Sequence, residues 1–149
     1  MKITLETDYA IRIVDYLVCI PKMSSALEIA KETVVPLRFA KNILQKLIRT
    51  GIVNSYKGVG GGYELGRAAK EISLYDVLEA IEGPLVLNRC LLKGYECTCK
   101  PDKECLYYEI FQELSREMEM KMRKIRFSSE VHGQQYGKRD FTVYEEIRA

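Results

Sequence analysis

Four of the chain's five cysteines, Cys90, Cys97, Cys99 and Cys105, fall within sixteen residues in the string CLLKGYECTCKPDKEC, while Cys19 stands apart. Thiolates are soft ligands that select zinc, copper(I) or iron–sulfur clusters, and a loop between two helices can fold around such a centre. The segment has no Cys-x2-Cys pair and no nearby histidine, so it does not follow the spacing of the common zinc sites. An iron–sulfur cluster is the favoured occupant, with redox-sensing thiols and zinc as the competing readings. Cys19, flanked by Val18 and Ile20, reads as a small buried hydrophobe. The only histidine, His132, has no motif around it that would build a hydrolytic triad. Glu145 and Glu146 are adjacent rather than convergent and read as solvated charge.

A second chemistry is carried by cations. Arg38 and Lys41 lie three residues apart, on one side of a helix, and neither falls on its apolar stripe, so both can reach base edges or phosphates. Lys57 stands at the root of GVGGG, where glycines let the backbone approach a phosphate or the minor groove. That loop is no nucleotide cradle, because it lacks the closing Gly-Lys-Ser or Gly-Lys-Thr and has Tyr63 where a dinucleotide fingerprint would continue.

The whole chain has 149 residues, 47% hydrophobic and 30% charged, which suits one compact domain or a small domain with a dimerisation appendage. It is too hydrophobic to be disordered. The net charge of +2 hides a division: residues 1 to 67 carry ten Lys or Arg against six Asp or Glu, and the remainder thirteen against fifteen. A nucleic-acid surface is therefore sought in the front half. The acidic residues Glu6, Asp8 and Asp15 interrupt what a signal peptide would need, and no run approaches the roughly 18–20 apolar residues of a membrane span. A cytoplasmic protein with no membrane partner is expected, where clustered cysteines hold a metal or do redox chemistry rather than form disulfides.

The elements that must position these groups are visible as periodicity. Ala10, Ile13, Val14, Leu17 and Val18 predict an amphipathic helix capped by Thr7 and ended by Pro21. Ser25 and Glu28 have the form of a capping box for a short second helix through about Lys31. A third helix, with Pro36 in its first turn, buries Leu37, Ile43, Leu44, Leu47 and Ile48 and stops at Gly51. Extended segments at 52–56 and 63–65 flank the glycines as a hairpin. Ser73 and Asp76 open a fourth helix that ends at Gly83-Pro84. Beyond the cysteines, Leu106, Tyr107, Ile110, Phe111, Leu114, Met118, Met122 and Ile125 mark one face of a helix of about twenty residues. So long a stripe needs a cover: a symmetry mate is the economical one, and packing against the first helix is the intramolecular alternative. The expected fold is mainly α with a small β-hairpin wing, a winged helix-turn-helix over 1–83. The cysteine loop and a long C-terminal dimerisation helix follow over 84–127, and a flexible tail over 128–149.

The order of elements and the strings DYAIR (8–12), VPLRFAKNILQKL (35–47), GIVNSYKGVGGGYEL (51–65) and ISLYDVLEAIEGP (72–84), followed by the cysteines, resemble the Rrf-type bacterial regulators over about residues 1–127. The resemblance implies a homodimeric transcription regulator on a palindromic double-stranded DNA operator, its long helices crossing at the dimer interface. It also implies an iron–sulfur cluster, 4Fe-4S or 2Fe-2S, that sets operator affinity in response to cluster biogenesis, iron or nitric oxide. In cluster-binding members five residues separate the last two cysteines, which points to Cys90, Cys99 and Cys105 as ligands. Cys97 is an extra thiol, and the choice between it and Cys99 stays open. IscR-like members use a histidine after the third cysteine, whereas here LYYE follows Cys105. NsrR-like members use an aspartate from the other subunit at the start of the first helix, and Asp8 matches that position. By the same resemblance Arg38 and Lys41 are the recognition-helix contacts, and Ser55, Lys57, Gly60 and Gly61 belong to the DNA-binding wing. The CymR-like branch offers the alternative: a cluster-free regulator governed by thiol oxidation or a protein partner. An electron-transfer protein using the same cysteines would leave the basic wing without purpose.

Overall fold

The computed structural model describes residues 3–98 and 105–128. Helix α1 spans Leu5–Cys19, α2 Ala26–Thr33 and α3 Leu37–Arg49. The antiparallel hairpin of β1 (Val53–Tyr56) and β2 (Gly62–Leu65) follows, then α4 (Leu74–Glu82) and α5 (Leu106–Lys124). The hairpin register pairs Val53 with Leu65 and Tyr56 with Gly62. The architecture is the expected mainly α winged helix-turn-helix, with α5 added. No helix among the described residues is long and apolar enough to cross a membrane.

The periodic positions close into one core. Ala10, Ile13, Val14 and Leu17 of α1 meet Ile29 of α2, Ile43, Leu44 and Leu47 of α3, and Ile52, Val53, Ile72 and Val77. The caps differ in detail from the sequence expectation. Thr4, not Thr7, caps α1: the Thr7 N–H donates to Thr4 Oγ1 at 3.3 Å. Glu82 decides between the two threonines, since its Oε1 accepts from the Thr4 N–H (3.0 Å), the Thr4 hydroxyl (2.9 Å) and the Thr7 hydroxyl (2.5 Å). At α2 only the Ser25 arm of the capping box forms, because the Glu28 carboxylate pairs with Lys22 Nζ at 3.1 Å. α2 ends on Val34 at φ 55°, the only non-glycine with positive φ among the described residues. Pro36 sits just before α3 as its cap residue. The Ser73–Asp76 box is complete, with bonds of 3.1 and 2.8 Å.

Within the chain α5 packs on α4 rather than on α1. Met118 and Met122 contact a small cluster of Tyr75, Leu78 and Leu85. Beyond α5 the chain returns to the main body: Ile125 O accepts from the Leu74 N–H, the Phe127 N–H donates to Ile72 O, and the Phe127 ring is buried in the core. Leu106, Tyr107, Ile110 and Leu114, in the N-terminal half of the same stripe, remain exposed. The expected tail beyond residue 128, with His132, lies outside the described residues.

Candidate nucleic-acid interface and cysteine segment

Because Ala40, Ile43, Leu44 and Leu47 turn inward, α3 presents Arg38, Lys41, Asn42 and Gln45 to solvent. Arg38 and Lys41 stand where the sequence placed them. Asn42 and Gln45 were missed, although their spacing of four and seven from Arg38 puts them on its face, and their amides suit the adenine edge. Lys46, on the flank, is engaged by Glu6 Oε1 at 2.8 Å, which fixes α3 to the first turn of α1. Phe39 stays 48% exposed, with its ring edge-to-face against Tyr9 at 6.1 Å between centroids and 66° between planes.

The hairpin carries Ser55 and Lys57 exposed, with Gly60 exposed at the tip and Gly61 half-buried. The glycine run serves the protein's own packing as well as any approach to DNA. A Cβ on Gly61 would strike the Tyr56 carbonyl, and one on Gly62 would meet the Ser24 carbonyl at 2.6 Å. Ser24 is the wing's dock: it exchanges backbone hydrogen bonds with Tyr63 at 3.1 and 2.8 Å. Past β2, Arg67 lies 3.4 Å from Asp76 Oδ2, and Arg123 of α5 lies 3.5 Å from Asp76 Oδ1. Burial alone would raise the Asp76 carboxyl. The Ser73 N–H and hydroxyl, then Arg67 and Arg123, outweigh it and hold the group below the ordinary carboxylate range. The Arg123 guanidinium also sits 4.1 Å over the Tyr75 ring. One carboxylate thus joins the wing's exit, α4 and α5.

Cys90 lies half-buried in a 3-10 turn at Arg89–Leu91 that packs against α5, and its N–H donates to Asn88 Oδ1 at 3.4 Å. The approach to this turn is pinned from α5: the Leu87 N–H donates to Ser115 Oγ at 3.1 Å, and the Ser115 hydroxyl donates to Phe111 O at 2.7 Å. Nothing local in the sequence flags Ser115, the one buried residue of α5. Cys105, half-buried, is the N-cap residue of α5, whose positive dipole end favours anionic ligands. Cys97 is exposed, and Cys99 lies outside the described residues. The structure therefore sets Cys90 and Cys105 at the two ends of one segment, each against α5. It does not group them with Cys97 or Asp8: among the described residues no three His, Cys, Asp or Glu side chains converge on a metal position. The donor chemistry, thiolates beside a helix N-terminus, fits an iron–sulfur cluster.

Asp8 stands in the first turn of α1, half-exposed, with Oδ2 2.6 Å from the Arg12 guanidinium, which also lies 5.6 Å over the Tyr9 ring. Cys19 is a poor ligand: burial, and then the Asp15 carboxylate, push its thiol up to about 11.

Comparison with known proteins agrees with this geometry. Residues 3–132 match the Rrf2 family, described as an iron-dependent transcriptional regulator. A protein of Haemophilus influenzae described as an HTH-type transcriptional regulator is 31% identical over 108 residues, covering 72% of this chain and 70% of its own. The regulator IscR of Klebsiella pneumoniae is 27% identical over 108 residues, covering 72% of this chain and 64% of its own. In three dimensions the chain is similar to CymR, the global cysteine regulator of B. subtilis, with a TM-score of 0.68, 20% identity, and coverage of 87% of this chain and 95% of that one. With a winged helix-turn-helix fold and a family match over most of its length, the chain belongs to the Rrf2 family of DNA-binding transcription regulators and is not an enzyme.

Proposed function

We propose that this regulator is a cytoplasmic homodimer whose hold on a palindromic operator is set by an iron–sulfur cluster. Cys90, Cys105 and either Cys99 or Cys97 would bind the cluster, with Asp8 of the other subunit as the fourth ligand. The observation that carries the proposal is the anchoring of Cys90 and Cys105 at both ends of one segment against α5. A group bound between them would act directly on the helix whose exposed stripe is the natural dimer surface. Bound there, the cluster would supply redox and ligand-exchange chemistry responsive to iron, oxygen or nitric oxide. A carboxylate is a hard, labile ligand on iron, which suits a sensor that must open. Recruitment of Asp8 requires it to leave Arg12, so its 2.6 Å ion pair is the contact that ligation would exchange. Arg38, Lys41 and the Lys57 wing, with Ser55, Gly60 and Gly61 beside it, would hold base edges and phosphates in each half-site.

The test is anaerobic purification followed by iron and sulfide counts and an absorption spectrum. A brown protein with both elements, whose operator affinity changes on exposure to oxygen or nitric oxide, is expected. A colourless protein that gains no chromophore on reconstitution overturns the proposal. It would favour the second reading, control by thiol oxidation or a protein partner, which draws on the likeness to CymR and on the exposed thiol of Cys97. Replacing Cys90, Cys99 and Cys105 by Ala separates the readings, because partner control survives it.

A further inference from the structure

Phe39 is the third residue of α3 and leaves nearly half of its ring in water, on a helix whose other exposed residues near it are Leu37, Arg38, Lys41 and Asn42. A lone exposed aromatic carries little meaning. This one is held: Tyr9 meets it edge-to-face, Arg12 lies over the Tyr9 ring at 5.6 Å, and Asp8 holds Arg12 at 2.6 Å. A ring fixed in one orientation has already met the entropic cost that an exposed side chain would otherwise meet on binding. Its position also matters, since residues at the N-terminal end of a recognition helix are the ones that reach base edges in the major groove. Among the base edges presented there, the apolar group is the C5 methyl of thymine, which cytosine, adenine and guanine lack.

We propose that Phe39 is a specificity-determining residue that reads a thymine methyl in each operator half-site, while Arg38, Lys41 and Asn42 supply the polar contacts around it. The ring and the methyl would exclude water from each other. The preference for thymine over an otherwise identical base without the methyl is roughly fourfold per half-site, the scale of one buried methyl group. The proposal depends on DNA binding through α3 and not on the occupant of the cysteine segment.

The operator is found within the test itself. The full-length protein selects its site from a random duplex pool, and each thymine of the selected duplex is then replaced singly by deoxyuridine, which keeps base pairing and removes only the methyl. Binding is read by fluorescence anisotropy for the wild-type protein and for Phe39→Ala and Phe39→Leu. One thymine per half-site should weaken the wild-type protein roughly fourfold on replacement, and that sensitivity should vanish in Phe39→Ala and shrink in Phe39→Leu. If no thymine is sensitive in the wild-type protein, the proposal fails, whatever the variants do. It fails equally if the sensitive thymine is as sensitive in Phe39→Ala, or if Phe39→Ala merely binds all duplexes more weakly by one factor, which would place the ring against the sugar-phosphate backbone.

Discussion

The helical front of the molecule and α5 treat the same kind of residue in opposite ways. In the front, Ile13, Ile43 and Leu47 are wholly buried, and even the flank of α3 is tied down by Lys46 and Glu6. In α5, Leu106 and Tyr107 are about two-thirds exposed (65% and 69%), and only Met118 and Met122 lean on a small cluster with α4. The front completes its own core and can offer a fixed surface to DNA. The helix beside the cysteines keeps most of its apolar stripe uncovered by the described residues and is held chiefly toward its C-terminal end.

The sharpest way to break that contrast is to make one kind of cut in both regions. Ile43→Ala should cost about 2–5 kcal/mol, the range for a truncated buried aliphatic, and should lower Tm equally at all protein concentrations. Leu114→Ala should leave the folded chain nearly as stable but shift sedimentation toward the monomer and reduce the concentration dependence of Tm. Equal, concentration-independent losses in the two variants would erase the distinction.

On the DNA face, Arg38→Ala should weaken selected duplexes by about 1–3 kcal/mol and relax specificity at one position. Lys57→Ala should weaken all duplexes alike and lower the salt slope by about 1. Anisotropy titrations at several salt concentrations distinguish the two.

Gly62→Ala would drive a methyl into the Ser24 carbonyl and cost about 1–3 kcal/mol. Faster amide exchange at Tyr63, with unchanged helical circular dichroism, would report release of the wing.

The smallest effect concerns the Glu82 clasp. The Thr7 hydroxyl and then the Thr4 N–H hold the Glu82 carboxyl below its ordinary value. Its folded pKa is lower than its unfolded one, so its contribution is fully present above the unfolded value and is lost as pH falls through the folded value. Glu82→Gln should cost about 1 kcal/mol at neutral pH, as one exposed charge-assisted contact does. The Tm gap to the wild-type protein should narrow as pH falls below the ordinary glutamate range and close once Glu82 is protonated in the folded state. A gap that persists in acid would remove the charge from the account.

Much of the front was legible in the sequence because its signals are local. Apolar spacing placed α1, α3 and α4, the glycine run marked the hairpin, and Ser73-x-x-Asp76 marked a complete capping box. The sequence also located Arg38, Lys41 and Lys57 on exposed faces. What it missed was set by contacts across the chain. Thr4 displaced Thr7 as the cap because of Glu82, 78 residues away. Glu28 left its box for Lys22, and Gly62 proved to be shaped by Ser24. Ser115 and Phe127 gave no local sign of their partners at Leu87 and in the core. In the cysteine segment, residue type supports the proposal of a bound cluster, and the grouping of ligands is not a property of spacing alone.

The return of the chain after α5 has a mechanical consequence. Phe127 in the core and the Ile125–Leu74 bond clamp the helix at its C-terminal end, while Cys105 begins its other end. At 1.5 Å per residue the 19-residue helix is about 28 Å long, so α5 is a lever with its fulcrum beside Asp76. A tilt of about 5° around that fulcrum carries the Cys105 end through about 2 Å while hardly moving Arg123. Movement of the Cys105 end would thus be passed along the exposed stripe without amplification, Leu106 moving nearly as far and Leu114 about half as far. In a two-fold assembly built on that stripe, the spacing between two recognition helices would respond to it.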